Sequence, residues 1–469
     1  MEKSNNGKFK LTILIGILAL IMTWFVAGGS YSSSGVYTAG SVTRAGIFDF
    51  FSLLFYSFYY RMPNIMYILV VGGMYGVLSQ TKAYRKLLDK TVSFVKNKEV
   101  IMMLVITLLM GAYTSLCGDF FVLFMFVPFI VSVFLRCGKD KLTALNAAVG
   151  GIFIGTIGLT LGTTGMGSLA SSLSLKLTDG IGFKIALFVA AYVLYNLFAI
   201  LHMNSLPKKV DEKDLFAAEA LDETKIKKSR KTKIWPTMIV VVSIIIIGLL
   251  AFINWEESFS VDIFEKALES IQNVKAGDVP IIYSALGSVK AFGKWDLVNM
   301  SAILTIGTII IGLINNLKFD QVVTEFGNGM KKMAKVALIY GLVFITFMVC
   351  YAYGWQVTVT TNILGTKFNM FRVLIAGFFI AVLCVDPEFI IYILGTHLST
   401  TFVSDLVATN LIMGAAYSLA FVISPTSFWL MMILTYLDIP FKDWLKYIWK
   451  LALALLIVFV LIFSIMCFM

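Results

Sequence analysis

Apolar runs close to the length of a membrane-spanning helix recur from one end of this chain to the other, and short basic links separate them. Leu11 to Ala27, Tyr59 to Leu78, Val100 to Thr114, Phe183 to Leu201, Ile234 to Ile253, Met300 to Leu317 and Leu406 to Ile423 are such runs, and a last one begins at Leu451. A helix needs about 20 predominantly apolar residues to cross the hydrocarbon core. Only 14% of the residues are charged and 59% are hydrophobic, whereas a soluble chain carries roughly a quarter charged residues. The pattern predicts an all-α polytopic membrane protein with about 10–12 membrane segments.

A net charge of +11 does not mark a nucleic-acid binder, because the lysines and arginines sit in the links between apolar runs. That is the positive-inside distribution. The stretch holding Lys82, Arg85, Lys86, Lys90, Lys96 and Lys98 is therefore cytoplasmic, as are Arg136 to Lys141 and Lys318 to Lys335. Lys3, Lys8 and Lys10 precede the first apolar run, which is long for a signal core and is followed by more membrane sequence, so an uncleaved first span is expected. The five cysteines, Cys117, Cys137, Cys350, Cys384 and Cys467, have no paired spacing. They read as small buried hydrophobes, with no disulfide framework and no metal site.

Four parts follow from these links. Residues 1–58 form a first span and an external interfacial segment, 59–201 a first repeat, 202–233 a basic cytoplasmic linker, and 234–469 a second repeat with an external insert at 254–297. Within the insert Phe264, Ala267, Leu268 and Ile271 share a helical face, with Ser260 as a cap and Asp262 in the first turn. Ala147, Gly151 and Gly155, then Gly158 and Gly162, put small residues at helical spacing, which lets helices approach closely in lipid.

Polar interruptions carry the functional signal. Ser115 to Asp119 and Gly395 to Thr401 read as hairpin-like breaks, and each precedes a span that ends in a second break, Gly162 to Ser168 and Ser424 to Ser427. Paired interruptions in corresponding places of two halves point to a midplane transport site, where half-helix ends and unwound carbonyls hold substrate and ion. Thr163, Thr164, Ser168, Thr396, His397, Ser399, Thr426 and Ser427 are the candidate substrate-binding residues. Asp119, Asp386 and Glu388 are candidates for ion coupling, since an ionised carboxylate in the membrane costs about 2.5–3.5 kcal/mol on insertion scales unless it is paired, hydrated or functional. No cofactor is expected; sodium ion or proton is the coupling ion.

The segments Leu20-Ile21-Met22-Thr23-Trp24-Phe25-Val26-Ala27-Gly28-Gly29-Ser30-Tyr31, Arg44-Ala45-Gly46-Ile47-Phe48-Asp49, Ser424-Pro425-Thr426-Ser427 and Ile439-Pro440-Phe441-Lys442-Asp443-Trp444-Leu445-Lys446 resemble the YfcC-like family. These bacterial carriers are grouped with anaerobic dicarboxylate carriers and arginine/ornithine-type exchangers in the ion transporter superfamily. The resemblance implies an inverted-repeat transporter with two re-entrant hairpins whose tips meet broken helices. The chain departs from it at Ser424 to Phe428, where relatives tend to have Asn-Pro-Thr-Ser-Gly, and at Leu394 to Leu398, where they have a Pro-Ser-Gly-Ser-Gly-like tip.

The expected function is secondary active transport, by ion-coupled symport or exchange, of a small organic anion or amino acid. Its setting is the cytoplasmic membrane of a bacterium, with the lipid bilayer, a small-molecule substrate and a homodimeric copy as partners and no nucleic acid. Two alternatives belong to other classes. A membrane-embedded enzyme acting on lipid needs a clustered acid, base or nucleophile, and Asp386, Glu388 and His397 have no clear partner motif. An ion channel needs a filter-like repeat or a ring of charges, and neither is plain in the sequence.

Overall fold

A lysine ties the first helix of the computed structural model to the far end of the chain. Residues 2–205, 216, 234–276, 279–281, 284, 287 and 289–468 are described, so most of the basic linker at 202–233 lies outside the described residues. Helix α1 (Glu2–Met22) buries Lys8, whose Nζ donates to the carbonyls of Leu434 at 2.8 Å and Ile439 at 2.9 Å. A short antiparallel hairpin, β1 (Gly29–Tyr31) and β2 (Tyr37–Ala39), marks the opposite end of the bundle. There the Gly29 amide donates to Gly354 O at 3.1 Å.

The sequence assigns 36–58 to an external interfacial segment, and much of its helical part is exposed on the bundle, with Phe50 and Ser57 as its buried residues. Helix α2 (Ile47–Tyr60) packs onto the bundle, where Ser57 Oγ donates to Gly341 O at 2.9 Å. After a bend at Arg61 the chain continues as α3 (Met62–Ser79), with Pro63 in the first turn, where its missing N–H costs no helical hydrogen bond.

Amphipathic α4 (Lys82–Val95) is capped by Thr81 and leads into α5 (Glu99–Cys117). A turn at 118–120 and a 3₁₀ segment (Phe121–Phe126) connect it to α6 (Val127–Arg136). The end of α6 comes back to α4, with Arg136 on Asp89 at 2.9 Å and Cys137 Sγ on Val92 O at 3.9 Å. Helices α5 and α6 are therefore two arms of one hairpin. Next come α7 (Lys141–Ile157), the short α8 (Gly167–Ser172) and α9 (Ile181–Ser205). The small-residue face of α7 lies on α5: a Cβ on Gly151 would sit 2.6 Å from Thr107 O, and one on Gly155 2.5 Å from Gly111 O.

The second half begins with α10 (Ile234–Ala251), followed by the insert with α11 (Trp255–Phe259), α12 (Ile263–Gln272) and a two-residue strand pair. Ser260 closes α11 in the left-handed region (φ 55°), and the cap position of α12 belongs to Asp262, which pairs with Lys266 at 2.5 Å. Phe264 packs on Trp255 and Phe292, with centroids 5.2 and 5.5 Å apart, while Ile271 stays exposed. Then follow α13 (Leu297–Ile314), α14 (Phe319–Val343) and its bent continuation α15 (Ile345–Tyr353). Helix α14 meets α3 through Gly72, Gly76 and Gly329, where an added Cβ would strike the backbone of the partner helix.

Helices α16 (Trp355–Leu364), α17 (Met370–Leu383), α18 (Pro387–Thr401), α19 (Leu406–Ile423), α20 (Phe428–Tyr436) and α21 (Phe441–Phe468) complete the chain. The hairpin turn of this half is Cys384–Asp386, not the Gly395–Thr401 break read from the sequence. Pro387 has no N–H to give to a preceding helix, so the chain restarts there as α18, and Gly395 to Thr401 continue that helix. Among the described residues eight helices are long and apolar enough to cross a membrane, counting interrupted ones once, and four shorter apolar helices accompany them. The class is the all-α polytopic one.

Candidate functional site

The two hairpin tips are built alike. One reads Cys117-Gly118-Asp119 and the other Cys384-Val385-Asp386. At each tip the aspartate caps the departing segment, Asp119 Oδ1 accepting from the Phe121 amide at 2.9 Å and Asp386 Oδ1 from the Glu388 amide at 3.0 Å. Gly118 turns at φ 80°, a conformation that favours glycine, while the second tip turns without one.

Each tip sits against an interrupted helix. Ser115 Oγ donates to Gly158 O at 2.5 Å, and Thr164 Oγ1 to Cys117 O at 3.2 Å, which joins the first tip to the break between α7 and α8. In the second half Ser424 Oγ and Thr426 Oγ1 donate to Val382 O at 3.2 and 2.6 Å, joining that tip to the break between α19 and α20. Ser418 Oγ donates to Thr156 O at 2.8 Å, so the two interrupted helices also touch each other.

The hairpins open in opposite directions. Lys141, at the open end of the first, is close enough to Lys8 to interact with it electrostatically. The open end of the second lies on the strand hairpin, where His397 stacks on Tyr31 with centroids 4.3 Å apart. Inversion follows from these contacts.

Most hydroxyls expected to bind substrate already serve the local backbone. Ser168 Oγ donates to Gly165 O at 2.6 Å, Ser427 Oγ to Phe421 O at 2.7 Å, and Thr163 Oγ1 accepts from Asn254 Nδ2 at 3.1 Å. Ser168 and Ser427 satisfy carbonyls where the helices unwind, which unpaired in hydrocarbon would each cost several kcal/mol, while Thr163 is held by a side chain of the insert. Thr164 remains exposed. Thr396, His397 and Ser399 are not at the tip: His397 is 11 residues along α18 from Asp386, roughly 16 Å at 1.5 Å per residue. His397 Nδ1 lies 3.2 Å from Gly35 O, and its Nε2 is buried with no hydrogen-bond partner among the described residues.

The residue that sequence reasoning missed is Arg61. Its guanidinium pairs with Asp386 Oδ2 and lies 4.0 Å above the ring centre of Phe344, a cation–π arrangement. Asp386 is 3% exposed, whereas Glu388, the second residue of α18, is exposed. A cavity of about 380 Å³ opens beside the pair, lined by Ser57, Tyr60, Arg61, Phe344, Asp386 and Glu388, near the lower end of the roughly 300–1,000 Å³ of small-molecule sites. Tyr351 and Tyr392 also line it, their rings 5.3 Å apart. Asp119 is outside the cavity but within electrostatic reach of Glu388. An arginine between two apolar runs was a signal in the sequence, because an ionisable residue there needs a partner.

Two oppositely directed hairpins, each meeting an interrupted helix, with an arginine–aspartate pair and a small cavity at one tip, define a polytopic helical membrane protein of inverted-repeat design. The profile of the C4-dicarboxylate anaerobic carrier family (DcuC) matches residues 7–384. The chain belongs to that family. A protein of Haemophilus influenzae described as uncharacterized is 23% identical over 278 residues, 59% of this chain and 49% of the relative, so the match spans about half the length of that relative. Among solved structures, the YdaH transporter of Alcanivorax borkumensis is 15% identical, with 98% of each chain covered and a TM-score of 0.40.

Proposed function

We propose that the chain is a secondary carrier that moves a small organic anion across the bacterial cytoplasmic membrane, by ion-coupled symport or exchange. Residues 59–201 and 234–469 act as the two inverted repeats. Membership in the C4-dicarboxylate anaerobic carrier family supports a four-carbon dicarboxylate as the first substrate class to test, with amino acids second. The observation that carries the reading is the Arg61–Asp386 pair on the wall of the cavity.

A guanidinium presents a planar fork that matches a carboxylate and is always charged. In the resting arrangement Asp386 occupies it. A substrate carboxylate takes that place when Asp386 accepts a proton or moves away, and the hydroxyl of the exposed Tyr60 is at hand on the cavity wall. Binding of the anion and neutralisation of Asp386 are then one event, which is what coupling requires. Glu388, exposed in the same cavity, is the route by which a proton or cation reaches the tip.

The test is uptake by purified protein in proteoliposomes, with a panel of labelled dicarboxylates, amino acids and short peptides under separate sodium and proton gradients. Saturable dicarboxylate uptake that disappears in Arg61→Gln is the expected result. Uptake no higher than in protein-free liposomes for the whole panel, or unchanged kinetics in Arg61→Gln, removes the reading.

A further inference from the structure

Lys184 is a buried cation that the proposed mechanism does not use. It stands in the first turn of α9, is 6% exposed, and its Nζ donates to Leu177 O at 2.6 Å and reaches Thr160 O at 3.4 Å. Thr160 belongs to the unwound stretch between α7 and α8. The carboxylate that acts on Lys184 is that of Asp179, which accepts from the Lys176 amide at 2.9 Å. The ammonium is thus held mainly by carbonyl oxygens. Beside it lies a cavity of about 30 Å³ lined by Thr156, Thr160, Gly162, Lys184, Asn410 and Gly414, room for roughly one water-sized occupant.

Carbonyls released where a membrane helix unwinds, at the negative end of the preceding half-helix, are the groups that coordinate alkali-metal ions in carriers. We propose that the ammonium of Lys184 is a tethered cation that occupies the place of a dissolved alkali-metal ion at the first interrupted helix. It carries the same charge, is anchored on the turn between α8 and α9 through Leu177 O, and reaches one carbonyl of the interruption, Thr160 O. The second interrupted helix is arranged differently: Val382 O receives two hydroxyls, and the fixed cation at that tip, Arg61 from the first repeat, is paired with a carboxylate. One half therefore needs no ion from solution. The inference rests on the carrier reading for its consequence, that ion coupling falls on the Asp386 side alone.

The experiment is thermal unfolding of the purified full-length protein in sodium, potassium, choline or ethylammonium chloride at constant ionic strength. The parent is expected to unfold at the same temperature in all four salts. Lys184→Ala and Lys184→Gln are expected to unfold earlier in choline and to recover several degrees, saturably, in sodium or ethylammonium. Lys184→Arg, which keeps the charge, should show no preference among the salts. Gln still donates to carbonyls, so a purely hydrogen-bonding role predicts a parent-like, salt-indifferent Lys184→Gln, and that result overturns the proposal. So does failure of both neutral variants to fold in every salt, since an added cation should restore the site. Unfolding needs no transported substrate: a sodium-responsive Lys184→Gln in a protein that moves no organic anion keeps this inference and removes only the carrier reading.

Discussion

Asp119 and Asp386 hold the same position in the two hairpins, each two residues after a cysteine and each capping the segment that leaves the tip through an amide two residues on. They differ in one respect that matters for function. Asp386 is paired with Arg61, and its side chain is 5% exposed against 22% for the arginine.

Breaking that pair from one side should cost more than removing it. Asp386→Asn keeps a capping oxygen but leaves the guanidinium without its counter-charge, and breaking a buried pair costs roughly 3–5 kcal/mol. Partial exposure of Arg61 puts the expected loss at the low end of that range. The double variant Asp386→Asn/Arg61→Gln should recover much of it. Thermal unfolding in detergent checks this: a double variant no more stable than Asp386→Asn means the charge pair is not the source.

Gly329 is predicted to tolerate no side chain. An added Cβ would strike Gly72 O and the Cα of Gly76, where α3 and α14 cross. Small residues at such crossings let backbones approach, and overpacking costs about 1–3 kcal/mol. Gly329→Ala should lower the unfolding temperature, and Gly327→Ala, where a Cβ meets nothing within 4 Å, should not. Helix propensity alone favours alanine at both positions, so an unfolding temperature that does not fall in Gly329→Ala would show that contact does not set the constraint.

Parts of this architecture could be read from the chain because they obey one-dimensional rules. Apolar length gave the spans, and Ser424-Pro425-Thr426-Ser427 marked an interruption that the structure has at the same residues. The second tip was misread at Gly395 to Thr401 because its glycine and hydroxyls mimic a loop. Inside α18 those hydroxyls bond back to the helix, Ser399 Oγ and Thr400 Oγ1 to Thr396 O at 2.9 and 3.0 Å, so the helix continues. Arg61 was missed because its partner lies 325 residues away. Nothing local tells a snorkelling arginine at the end of a span from one folded onto a hairpin tip.

Asp140 gives a pH dependence at the membrane edge. Burial pushes its carboxyl up, but hydrogen bonds from His202 and Thr143 outweigh this and hold it below the ordinary range. A carboxyl with a depressed folded value contributes stability above its unfolded value, about 3.9, and loses it as pH falls through the folded one. The unfolding temperature should therefore drop below about pH 4. Asp140→Asn keeps the cap on α7 and should flatten that acid limb, while Asp140→Ala should cost about 0.5–2 kcal/mol at neutral pH. An unchanged acid limb in Asp140→Asn would assign it to other carboxylates.

Topology is testable with single cysteines on a background lacking Cys467, the exposed native thiol. Position 270 is exposed on α12 of the insert, and position 442 is exposed on α21 near the end anchored by Lys8. The positive-inside distribution puts 442 in the cytoplasm and 270 outside. A thiol reagent that cannot cross membranes should label Ser270→Cys on intact cells and Lys442→Cys only after lysis. The reverse pattern would invert the assignment of both hairpins.

The coupling role of the second tip makes the sharpest demand. If anion binding at Arg61 and neutralisation of Asp386 are one event, a permanently neutral tip binds substrate without taking up an ion. Asp386→Asn should then exchange internal for external substrate across liposomes yet fail to accumulate it on a gradient. Glu388→Gln, exposed in the same cavity but unpaired with Arg61, should slow accumulation while keeping its ion dependence. Asp119→Asn retains its cap and lies outside the cavity, so it should leave exchange intact. Each variant's ratio of net uptake to exchange is the measurement. Accumulation with parental ion dependence in both Asp386→Asn and Glu388→Gln would take coupling away from this tip, and loss of exchange in Asp119→Asn would move the substrate path to the first hairpin.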